Sequence, residues 1–108
     1  MTVSVAASGN QTADGLEDVL TTGTTAGTYV LAVNVTNMAD GDVLELRIYG
    51  KANASDSETL IYFASFNNAQ TEDLKLSLPT PAPVEYKATL KQTAGTNRTY
   101  QWGWWLLG

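Results

Sequence analysis

The sequence predicts an all-β fold, an antiparallel sandwich of seven or eight strands, jelly-roll or Ig-like, with no substantial helix. Three observations predict it. Apolar residues recur with a period of two through most of the chain, the mark of strands with a buried face. Turn-forming residues separate these runs at roughly the spacing of a sandwich or barrel. No segment longer than ten residues carries a helical period.

Thr28–Tyr49 is the stretch around which the rest is organised. Leu31, Val33 and Val35 alternate with Val30, Ala32 and Asn34, and Leu44, Leu46 and Ile48 with Glu45, Arg47 and Tyr49. Ala39-Asp40-Gly41-Asp42 supplies the turn between them. Before this hairpin, Thr2–Ala7 reads as a short first strand. Ser8–Gly15 is polar and turn-rich, so residues 1–15 form an N-terminal strand or an arm that orders on a neighbour, and 16–108 form one sandwich domain. Leu16–Thr22 has apolar spacing compatible with helix, but its length and Thr-rich continuation favour a strand. Gly23–Gly27 is a loop.

After the hairpin, Gly50–Ser57 is a loop and Glu58–Phe66 a strand. Both of its faces are apolar: Leu60, Tyr62, Ala64 and Phe66 on one, Ile61 and Phe63 on the other. That places it centrally or at an interface. Asp73–Leu78 alternates Leu74, Leu76 and Leu78 with Lys75 and Ser77. Pro79, Pro81 and Pro83 remove three backbone donors and predict a stiff crossing between sheets, not a central strand. Val84–Leu90 resumes alternation, with Glu85, Lys87 and Thr89 outward. Arg98–Leu107 is the last strand.

At 108 residues and 44% hydrophobic, the chain is long enough for one cored domain. It has no Cys and no His. That removes disulfides, thiolate chemistry, the Ser-His-Asp triad and the commonest transition-metal ligand. The net charge is −5. Residues 1–46 hold every one of their six charges as acid, whereas 47–108 are near balance. No basic footprint for nucleic acid or an anionic membrane is present. No apolar run has membrane-spanning length, and Met1–Gly15 lacks a signal-peptide pattern, which predicts synthesis in a cytoplasm.

Asp40, Asp42 and Glu45 beside Asn37 raise the question of a Ca²⁺ loop, but the spacing misses the EF-hand pattern, and an ordinary turn with solvated acids is the expectation. Asp14, Glu17 and Asp18 are read the same way. Glu/Asp pairs for glycoside hydrolysis arise by chance among eleven acids, and nothing singles one out. No phosphate-binding Gly loop occurs. The expectation is a non-enzyme with no cofactor and no metal. Four Asn-x-Ser/Thr sequons, at Asn10, Asn34, Asn53 and Asn97, reflect Thr-rich β composition.

The last strand carries the sharpest functional signal. Tyr100, Trp102, Trp104 and Leu106 share one face, and Trp105 and Leu107 share the other. A strand buried between layers and a strand packed on another subunit both explain this. Trp104, Trp105 and Leu107, with Ile61 and Phe63, are the expected partner or self-association residues, because aromatic side chains concentrate at interface centres.

Three segments, GTYVLAVNVTNMADGDVLELRIYGK, ETLIYFASF and YKATLKQTAGTNRTYQWGWWLL, resemble small proteins encoded among the head genes of tailed bacteriophages. The shared phrases are the G-T-Y-x-L…N-M-x-x-G-D-x-x-E-L-R-I segment, A-T-L-K-Q-T-A-G-T and a Trp-containing C-terminal strand, covering Gly27–Leu107. The resemblance implies a virion structural protein of the capsid decoration or cement type. It further implies a homotrimer bound to the major capsid protein on the capsid exterior, made in the host cytoplasm. Another virion role (tail, head-completion or fibre-associated) is one alternative. A carbohydrate-binding sandwich with Trp104 or Trp105 as stacking platform is another.

Overall fold

The computed structural model describes residues 2–108. Nine strands are present: β1 Val3–Thr12, β2 Asp18–Gly23, β3 Gly27–Asn34, β4 Val43–Gly50, β5 Thr59–Asn67, β6 Leu74–Leu76, β7 Thr80–Ala82, β8 Tyr86–Ala94 and β9 Thr99–Leu107. No helix occurs among the described residues. One sheet has the order β1-β9-β3-β6, with β7 continuing the β6 edge on β3, and the other has the order β2-β8-β4-β5. Every pairing is antiparallel. The fold is therefore the antiparallel two-sheet sandwich the periodicity predicts, with the two three-residue strands raising the number to nine.

The core between the sheets follows that periodicity. Leu31 and Val33 of β3, Leu44, Leu46 and Ile48 of β4, Ala88 and Leu90 of β8, and Tyr100 and Trp104 of β9 are all essentially inaccessible. The Trp104 indole stacks on Tyr29 at 5.0 Å between centroids and 12°, and Tyr86 tilts against both rings. These offset contacts join β3, β8 and β9 across the layers.

The structure departs from several expectations. Thr28–Tyr49 is not a hairpin: β3 and β4 lie in different sheets, and residues 35–42 cross between them. Of the two readings of residues 1–15, strand or arm, β1 is a strand as far as Thr12, paired with β9 from Val3↔Leu107 to Thr12↔Thr99; Met1 lies outside the described residues. Glu58–Phe66 is not central: β5 pairs only with β4 and forms the sheet edge. In and just after β6 the leucine row faces outward. Ser77 is buried, and its backbone N–H donates to Leu31 O while its Oγ accepts from Leu31 N–H, so the hydroxyl extends the ladder. Leu74, Leu76 and Leu78 are consequently exposed. Thr89 is buried, because its hydroxyl donates to the Glu17 carboxylate that folds over it. The proline segment does connect the two sheets, with Thr80–Ala82 a brief edge strand.

Asp42, expected to be solvated, is 1% exposed and ties three loops together. Its Oδ2 accepts from Ala39 N–H at 2.9 Å and Arg98 Nε at 2.8 Å, and its Oδ1 accepts from Thr96 N–H at 3.1 Å. Its carbonyl accepts from Asn68 N–H. Gly95 is required here: its φ is +86°, and a Cβ would fall 1.9 Å from Asp42 Oδ1.

Candidate binding surfaces

The two outer faces of the sandwich differ in chemistry. Outward on the β2-β8-β4-β5 sheet stand Glu45, Arg47, Tyr49, Lys87 and Lys91, as the register requires. They are knitted together: Arg47 bridges Glu45 at 2.8 Å, Lys87 bridges Glu58 at 2.8 Å, and the Lys87 ammonium sits 4.6 Å over the Tyr49 ring. Glu17 accepts from the Tyr49 and Thr89 hydroxyls. Burial pushes its carboxyl up, but these two donors, with Arg47 and Lys87, outweigh that and hold it below the ordinary value. Tyr49, buried and donating to Glu17, is pushed up to about 12. This is a charged, polar face, its ions mostly paired, with Arg47 Nη1 left buried and without a hydrogen-bond partner.

Among the described residues, no charged residue stands on the outer face of the other sheet. The registers place Val3, Val5, Ser8 and Asn10 of β1 there, with Gln101, Gly103, Trp105 and Leu107 of β9. Thr28, Val30, Ala32 and Asn34 of β3, Leu74 and Leu76 of β6, and Pro81 of β7 complete the face. At its centre is a shallow groove of about 270 Å³ lined by Val5, Ser8, Asn34, Gln101, Gly103 and Trp105, among others. The Trp105 indole leans over its strand neighbour: a Cβ at Gly103 would lie 2.8 Å from Nε1.

The third surface is the side of the sandwich where β5 and β6 meet. β5 lies at one edge of its sheet and β6 at the corresponding edge of the other, and the Lys75 ammonium reaches 5.2 Å from the Phe66 ring across the gap. Leu60, Ile61, Phe63, Leu74, Leu76 and Leu78 are each about half exposed or more. The nine residues of β5 contain no charge and no proline, so a bulge at Ile61 is the one usual guard against pairing that this edge carries. Arg47 covers one side of Phe63 at 4.9 Å.

The five residues singled out from sequence therefore do not converge. Trp104 is in the core with no exposure, and touches no partner surface. Trp105 and Leu107 are partly exposed on the uncharged face. Ile61 and Phe63, 50% and 48% exposed, are on the β5 edge. Sequence reasoning missed Leu74, Leu76 and Leu78 as surface residues, and Ser8, Asn34 and Gln101 as groove lining. An apolar row running into three prolines was the available signal for the leucines. No grouping of three or more acids able to hold a metal ion occurs among the described residues.

No family model and no curated protein matches the chain. Solved structures do. A chain of the structure of infectious bursal disease virus Gt strain superposes with a TM-score of 0.52 at 14% identity, over 97% of this chain and 31% of that one. A chain of the infectious bursal disease virus VP2 subviral particle gives 0.54 at 13%, with the same coverages. Its structural neighbours are chains of virus particles. This chain spans about a third of their length, and at these identities the likeness is one of fold.

Proposed function

We propose that this protein is a structural component of a virus particle, a decoration protein that attaches to the outside of a capsid and reinforces it. The observation that carries the proposal is the run of large exposed apolar side chains along two adjoining sheet edges, Leu60, Ile61 and Phe63 on β5 and Leu74, Leu76 and Leu78 in and after β6, on a chain of net charge −5. Single exposed apolar residues are ordinary, but six along one side of a small domain favour a contact surface there. The sandwich shared with chains of virus particles supports the reading, as does the resemblance of Gly27–Leu107 to tailed-phage head proteins.

Attachment then works by area and repetition. Burying one Leu or Phe contributes about 1.5–3 kcal/mol, and bivalent or trivalent attachment multiplies a modest contact by effective concentration. A homotrimer joining neighbouring major capsid proteins is the assembly in which each copy uses this side. The protein is made in the host cytoplasm and acts by adhesion, without catalysis.

The test adds purified protein to shells of the encoding virus that lack it, and measures co-sedimentation and heat resistance. The wild type binds and raises the shell's disruption temperature, and sediments as a trimer alone or on the shell. Phe63→Asp combined with Leu76→Asp abolishes binding while the variant's melting temperature stays close to wild type, because both side chains are exposed. A stable monomer without affinity for the shells refutes the proposal.

A further inference from the structure

The groove on the uncharged face is separate from the β5–β6 side, sharing only the Leu74 rim. Its lining makes a specific set of demands on a ligand. With no cation and no carboxylate in it, an ionic ligand would be stripped of water without a counter-charge, so the occupant is neutral. The backbone of its floor, Ala32 and Gly103, is already paired within β3 and β9, so a peptide cannot add there as a strand.

What the groove does offer is one flat aromatic ring and a rim of neutral donors and acceptors. Gln101 and Ser8 are exposed, each able to donate and accept. Asn34 Oδ1 accepts from Thr36 N–H at 2.9 Å, which leaves its amide N–H₂ to donate. Gly103 lets the indole lie down over the sheet, since any side chain there would meet the ring. A pyranose ring has the complementary form, with an apolar C–H face for the indole and hydroxyls around the edge for the amides.

We propose that this groove binds a neutral saccharide, with Trp105 as the stacking surface and Ser8, Asn34 and Gln101 bonding the sugar hydroxyls. The site stands or falls in the isolated protein, whichever surface the protein attaches by.

The experiment screens the purified full chain on an array of neutral and anionic glycans, then titrates the neutral hits by amide chemical shifts. Neutral oligosaccharides bind, and shifts centre on Ser8, Gln101 and Trp105. Trp105→Ala weakens binding about tenfold or more, Gln101→Ala weakens it several-fold, and Phe63→Asp leaves it unchanged. Gln101 is exposed, so that variant stays informative if Trp105→Ala fails to fold. The proposal is overturned if no neutral glycan binds, if only anionic glycans or a proline-rich control peptide bind, or if folded Trp105→Ala or Gln101→Ala binds like wild type.

Discussion

Replacing Asp42 with Asn removes the one charge that holds three loops in register. The carboxylate is buried and accepts three hydrogen bonds, from Ala39 N–H, Thr96 N–H and Arg98 Nε. An amide of the same shape loses the charge that strengthens all three bonds, and with its oxygen at the Oδ2 position it turns its N–H₂ toward the Thr96 N–H. Each hydrogen bond to a charged group contributes about 1.5–3 kcal/mol. Arg98 is 30% exposed and can rehydrate, so its share is discounted. The expected loss is about 3 kcal/mol, which lowers the melting temperature by roughly 12–24 °C for a domain of this size. The pH dependence follows from the direction of the carboxyl's shift. Burial pushes Asp42 up, but the Ala39 and Thr96 N–H groups and Arg98 overcome it and leave the folded value below the ordinary one of 3.8. The stabilisation is thus fully present above the unfolded value and is lost as pH falls below about 4. Urea unfolding of wild type and Asp42→Asn at pH 7 and pH 3 measures it, and the difference between them narrows in acid. The comparison isolates Asp42 from Glu17, which shifts the same way, and from Asp18, which burial and Asp14 shift upward. Equal stability of the two proteins at pH 7 refutes the reasoning.

Two further predictions concern the frame. Trp104→Ala empties the stack with Tyr29 and Tyr86 and costs about 3–5 kcal/mol in chemical denaturation, without the selective loss of attachment expected of a surface tryptophan. Gly95→Ala forces a side chain into a left-handed backbone position and against the Asp42 carboxylate. Its cost in the same assay is comparable with that of Asp42→Asn, and the two losses are less than additive because they break one knot.

The strands were legible where alternation met clear turns. β3, β4 and β8 fall within a few residues of their expected spans, because each is flanked by Gly, Asp or Pro; β4 buries one clean row, while β3 is buried on both faces. What could not be read was which row faces inward when both are apolar. In β9, Tyr100, Trp102 and Trp104 were grouped correctly, but only Gly103 hints that the opposite row lies outside, since it is the small residue that lets Trp105 fold down on the sheet. In Asp73–Leu78 the alternation did not say which row faces in, and a Ser77 hydroxyl bonded to a backbone 46 residues away puts the leucines outside. Asp42 and Thr89 looked solvated for the same reason: Arg98 and Glu17, which cover them, are 56 and 72 residues distant. Such pairings are products of the tertiary fold and leave no local trace.

The distribution of charge argues that the exposed apolar surfaces are functional. A sandwich that exists only to be soluble satisfies itself with one polar face per sheet. Here the β2-β8-β4-β5 sheet follows that rule, with salt bridges and cation–π contacts covering its outside. The other sheet shows no charge across its whole outer face, although the chain has seventeen charged residues available. The proline-broken β6–β7 edge is protected against strand addition, yet the β5 edge beside it is long, neutral and open. Protection on one edge and little of it on the neighbour fit the proposed attachment through β5, which lies in the other sheet from the uncharged face that carries the Trp105 groove.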